Sequence, residues 1–104
     1  MDPAAREAVR KDVSRSDPEG YAQTCEAIVH PEHKDPKYDN IVCPTVFVAG
    51  DKDMISPIER SKDLSELVSG QSWVEVVRSG HQPILEDFPG VKRALDNLFE
   101  AVGV

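Results

Sequence analysis

Two residues of this sequence have the types and the placement that proton-transfer chemistry needs. Asp53 follows the apolar run Pro44-Thr45-Val46-Phe47-Val48-Ala49 and the turn Gly50-Asp51-Lys52. His81 follows the run Trp73-Val74-Glu75-Val76-Val77 and the turn Arg78-Ser79-Gly80. A carboxylate can hold an imidazole in one tautomer and stabilise its protonated form, leaving the other ring nitrogen to take a proton from a nucleophile. The nucleophile is what the chain lacks. No Gly-x-Ser-x-Gly turn occurs in it, and Ser56, Ser61 and Ser79 are without the flanking glycines such a strained turn requires.

The other reactive side chains form weaker patterns. His30 and His33 bracket Glu32, but Pro31 breaks the helix that would align them and no third ligand is in reach, so no metal site is expected. Cys25 and Cys43 make no CxxC pair. Cys43, at a strand entrance, reads as a small buried hydrophobe. Asp51 reads as a turn residue, and Glu86 and Asp87 as negative charge placed to favour the start of the last helix. Trp73 reads as a core or sheet-edge residue. Met54 and Ile84 suit either an apolar substrate pocket or plain packing. No residue pattern calls for a cofactor.

The elements that must position Asp53 and His81 are legible in the periodicity. Asp2 can cap a helix with Pro3 in its first turn, running to about Val13. Ser16 or Asp17 caps a second that opens with Pro18, and Tyr21, Cys25, Ile28 and Val29 fall on one helical face. His30-Pro31 ends it, and Pro31 to Asn40 reads as a polar connection. The near-continuous apolar run Ile41–Ala49 predicts a buried strand over 44–49. Ser56-Pro57-Ile58-Glu59 has the form of a capping box for a helix over 57–69 that buries Leu64, Leu67 and Val68, with Gly70 as its C-terminal cap. Trp73–Val77 predicts a second strand. Val91, Ala94, Leu95, Leu98 and Val102 then mark an amphipathic helix after Pro89, closed by Gly103. Two strands joined by a helical crossover must run parallel, so both following loops leave the same edge of the sheet. Open α/β sheets bind ligands at that edge.

The bulk properties narrow the function classes. The chain has 104 residues and a net charge of −7, with its basic residues scattered. Phosphate neutralisation, and hence nucleic-acid binding, is not expected. No apolar stretch approaches the roughly 20 residues of a membrane span, so no membrane partner is expected. The N-terminus lacks the basic and apolar regions of a signal peptide, which makes a reduced, cytoplasmic protein the expectation, with a Cys25–Cys43 disulfide the less favoured alternative.

The order acid, crossover helix, second strand, Gly-His and final amphipathic helix resembles the C-terminal part of the α/β-hydrolase fold superfamily. The match covers Ile41 to Val102, with Pro44 to Pro57 similar to the segment that carries the triad acid. Ser79-Gly80-His81-Gln82-Pro83-Ile84-Leu85-Glu86 is similar to the segment that carries the triad histidine. Pro18 to Ile28 looks, more loosely, like the cap helices of 3-oxoadipate enol-lactonase-like members. The resemblance implies an α/β fold in which residues 41–104 form the C-terminal β-α-β-α portion of the hydrolase sheet, and residues 1–40 form a cap-like helical segment and linker. It implies Asp53 as triad acid, His81 as general base, and a small-molecule ester or lactone as substrate of the complete enzyme. The chain departs from the family in lacking the nucleophile elbow and the oxyanion-hole donors, so turnover by these residues alone is not expected. The alternative is a non-catalytic remnant of the fold serving as a small binding protein, and its exposed sheet edge invites self-association.

Overall fold

The computed structural model describes residues 2–104, which divide into two units, Asp2–Pro36 and Lys37–Val104. Among the described residues there are five α-helices and one two-stranded parallel sheet, a mixed α/β architecture.

The first unit is a pair of helices, α1 (Pro3–Arg15) and α2 (Pro18–Val29), each opened by an aspartate and a proline. The Asp2 side chain accepts the Ala5 amide at 2.9 Å and that of Asp17 accepts the Glu19 amide at 3.1 Å. Each satisfies a backbone donor that the first helical turn leaves without a partner. His30, with extended backbone before Pro31, ends α2. The stripe expected to pack does not. No residue of α2 is buried, and Tyr21, Ile28 and Val29 are all well exposed. Two short helices offer too little apolar area to enclose a core.

The second unit begins with a 3-10 turn, Tyr38–Asn40, inside the segment expected to be irregular. Strand β1 (Thr45–Gly50) is shorter than the apolar run that announced it, because Ile41 to Pro44 lie outside the ladder. Helix α3 (Ile58–Leu67) then crosses to strand β2 (Ser72–Val77), and the strands pair in parallel from Thr45 with Ser72 to Gly50 with Val77. A short helix α4 (Pro83–Glu86), which the sequence pattern did not disclose, precedes α5 (Phe88–Ala101).

Both long helices pack on both strands. The Ser65 hydroxyl of α3 bonds Ser72, while Asn97 of α5 donates to Glu75 at 2.7 Å. Ser72 and Glu75 are an odd number of residues apart on one strand, so their side chains leave opposite faces. The sheet is therefore sandwiched, with α3 on one face and α5 on the other. The core is small and consists of Ala49, Val68, Val77 and Ala94, with Ala94 wholly enclosed. The strand centres are only half-buried, and Leu67 is exposed rather than buried.

Two local expectations fail for physical reasons. Ser56 makes no capping bond and Pro57 takes the N-cap position of α3; the Ser56 amide, which Glu59 would bond in a capping box, is bound by the Asp53 carboxylate instead. Gly70 has no left-handed backbone and does not cap α3; among the described glycines only Gly103, at φ 77°, does. Gly70 is required by close approach instead. Its amide donates to Ile41 O at 3.0 Å, and a Cβ there would lie 2.6 Å from the Val42 carbonyl carbon.

Candidate functional site

The parallel register delivers the loops after β1 and β2 to one edge of the sheet, where they are stitched together. The Asp51 amide donates to Val77 O and the Lys52 amide to Ser79 O, both at 2.9 Å. Gly50 makes this approach feasible. A Cβ at that position would stand 2.7 Å from Ser79 Oγ and closer still to the carbonyl oxygens of Ser79 and Gly80. The loops then turn, with the Asp53 amide reaching back to Gly50 O at 3.2 Å.

Asp53 and His81 meet at this edge. His81 Nδ1 and Asp53 Oδ2 are 2.9 Å apart, across a separation of 28 residues. The other carboxylate oxygen, Oδ1, accepts the amides of Ile55 and Ser56, each at 2.9 Å. The Asp53 side chain is 8% exposed and that of His81 is 48% exposed. The carboxylate is thus sheltered while the imidazole stays open to solvent.

The amide bond from Ser56 is the chief reason that the Asp53 carboxyl is held below the usual aspartate range, followed by the bond to His81, with the Ile55 amide adding to both against the opposing effect of burial. An ionised carboxylate can only accept hydrogen bonds. Nδ1 must therefore be the donor in the pair, so the neutral ring carries its proton on Nδ1 and its lone pair on Nε2. Nε2 makes no hydrogen bond among the described residues. It is the atom free to accept a proton from an approaching hydroxyl.

The loop that carries His81 is clamped by two consecutive carboxylates. Glu86 Oε2 accepts the Gly80 amide at 3.1 Å and the Gln82 amide at 3.2 Å, the two peptide N–H groups flanking His81. Asp87 Oδ2 accepts the Arg78 amide at 3.0 Å, and Oδ1 caps α5 through the Gly90 amide at 3.0 Å. These two bonds hold the Asp87 carboxyl below its ordinary range. From sequence, both acids are expected to serve the dipole of the last helix. The dipole accounts for Asp87 in part and does not account for Glu86, whose contacts depend on the α4 turn folding it back over the loop.

The remaining candidates resolve simply. Asp51 is exposed on its turn. His30 Nδ1 accepts the Glu32 amide at 3.1 Å, His33 lies 3.3 Å from Asp35, and no metal-ligating cluster exists among the described residues. Cys43 is exposed rather than buried, because β1 starts after it, and both cysteines are free. Met54, at 97% exposure, and Ile84, at 66%, stay largely exposed rather than packed into the core. An open groove of about 420 Å³ lies in the helical unit, lined by Val13, Ser14, Ser16, Pro18 and Tyr21. No helix among the described residues is long and apolar enough to cross a membrane. No family model matches the chain, and no curated protein or solved structure matches it significantly.

Proposed function

We propose that this chain carries the acid–base half of a Ser-His-Asp hydrolase, as the C-terminal part of an α/β-hydrolase domain acting on small esters, lactones or related bonds. The observation that carries the reading is the 2.9 Å contact between His81 Nδ1 and Asp53 Oδ2 at the carboxyl ends of two adjacent parallel strands. The geometry suits the chemistry atom by atom. A serine hydroxyl supplied from outside these 104 residues would lose its proton to His81 Nε2 as its oxygen bonds the substrate carbonyl carbon. Asp53 would stabilise the imidazolium so formed. On collapse of the tetrahedral intermediate the imidazolium returns that proton to the leaving alkoxide. Water, deprotonated by the same nitrogen, then adds to the acyl-enzyme carbonyl, and the imidazolium returns this proton to the serine oxygen as the acid leaves.

The 104-residue chain is expected to turn over a simple aryl ester no faster than its His81→Ala variant. The polypeptide that also contains a Gly-x-Ser-x-Gly elbow and oxyanion donors is expected to be active. In it, His81→Ala and Asp53→Asn should each lower kcat by about ten-thousand-fold or more. Robust turnover by the chain alone, abolished in His81→Ala, would show a nucleophile among its own residues and overturn this division of roles. Full turnover in a complete enzyme lacking His81 would overturn the pair's catalytic role.

One observation favours a second reading, a non-catalytic protein of the same shape that binds through its sheet. Each strand has a single neighbour, so the outer edges of both β1 and β2 are unpaired among the described residues.

A further inference from the structure

We infer that Glu86 is a positioning residue for His81, and that its carboxylate, by gripping the peptide groups on either side of the histidine, sets which ring nitrogen holds the proton. This rests on the Asp53–His81 reading above and adds a third residue, a second carboxylate, to it. His81 itself is half-exposed and lies on a loop, and a half-exposed ring on a free loop would sample many rotamers. One oxygen of Glu86 accepts from both Gly80 and Gln82, at 3.1 and 3.2 Å, so the backbone that launches the His81 side chain is held at both ends. Gly80 leaves room for the carboxylate, since a Cβ there would lie 3.3 Å from that same oxygen. The α4 turn supports the grip from the other side, with the Glu86 amide bonded to Gln82 O at 3.0 Å. Position 82 is thus tied to residue 86 twice, through main chain and side chain.

The consequence concerns the tautomer. A free neutral histidine prefers its proton on Nε2. Only the accepting oxygen of Asp53 reverses that preference here, and it does so only while the ring is presented to it. Losing the grip on the loop lets the ring leave Asp53 and return to the ordinary mixture, which removes the lone pair from Nε2. Glu86 reaches the chemistry through His81 and need not touch substrate.

The test is a two-bond ¹H–¹⁵N spectrum of the His81 ring in the full chain, recorded above pH 8.5 or so, where imidazole is neutral. The unsubstituted chain should show the Nδ1–H form as the major tautomer. Glu86→Ala, and Glu86→Asp with its shorter reach, should revert to mainly Nε2–H while the amide signals of β1, β2 and α5 stay in place. Glu86→Gln keeps an accepting oxygen at the same reach and should retain Nδ1–H. If Glu86→Ala does not fold, Glu86→Asp and Glu86→Gln decide the matter alone. Retention of Nδ1–H in folded Glu86→Asp, or its loss in Glu86→Gln, overturns the inference while leaving the Asp53–His81 pair standing. An ordinary mixture in the unsubstituted chain overturns the pair, and the inference with it.

Discussion

Asp53 does two jobs with two oxygens, and separating them gives a sharp expectation. Oδ2 takes the His81 ring and Oδ1 takes the amides of Ile55 and Ser56. Because these bonds favour the ionised form, the carboxyl is more acidic in the folded chain than in the unfolded one, where aspartate titrates near pH 3.9. A lowered folded-state value contributes stability that is present above the unfolded value and is lost as pH falls through the folded one. Asp87, depressed by the Arg78 and Gly90 amides, acts in the same direction. Stability should therefore fall on acidification below about pH 4, and Asp53→Asn should flatten that acid limb. Urea midpoints measured between pH 6 and pH 2.5 check this, and an unchanged slope in the variant would refute it. Asparagine can keep the Ile55 and Ser56 bonds through its carbonyl oxygen. It would then turn an NH₂ toward Nδ1, so the variant loses the acceptor for the ring while the turn survives.

At the scale of elements, the glycines show that one residue type can answer opposite demands. Gly50 sits where the two loops touch, and its missing Cβ is the space occupied by the backbone of Ser79 and Gly80. Gly50→Ala should push the loops apart, lower stability by about 1–3 kcal/mol as overpacking does, and weaken the His81 contact with it. Gly20 lies in the first turn of α2 with its nearest neighbour, an Asp17 oxygen, at an ordinary 3.5 Å. Gly20→Ala should raise the stability of α2 by about 0.5 kcal/mol through its lower chain entropy. Circular dichroism with urea titration distinguishes the two signs. Equal and small effects would mean that the Gly50 approach is not tight. The start of α3 illustrates the same competition between local and distant partners. Ser56 has the capping-box pattern, but its amide goes to Asp53 three residues earlier and the helix opens on Pro57 without a side-chain cap.

At the scale of the whole molecule, the core of the second unit, Ala49, Val68, Val77 and Ala94 among the described residues, stands against exposed Val76, Phe88, Phe99 and Leu95, a small core for a unit of this length. A two-stranded sheet is marginal on its own and leaves both edges open to another strand. The isolated chain should therefore self-associate despite its charge of −7. Sedimentation should show a mass that rises with concentration through the micromolar range. Val76→Lys, placing a charge on an exposed position of β2, should reduce that rise; a monomer at every concentration would refute the expectation. What the sequence by itself determined were the features governed by neighbours in the chain. These are the aspartate-proline openings of α1 and α2, the two apolar runs, the helix between them and the amphipathic stripe of α5, because capping and periodicity act within a few residues. The parallel pairing followed from those elements in that order, and with it the common edge for Asp53 and His81. Tertiary structure alone decided which ring nitrogen meets which oxygen, why Gly50 and Gly70 must be glycine, and that Glu86 turns back onto the His81 loop. It also decided that the stripe on α2 stays exposed and that Met54 and Ile84 are left largely open to solvent. Each of these depends on what stands beside a residue in space, across 28 positions in the case of Asp53 and His81, where local pattern carries no information.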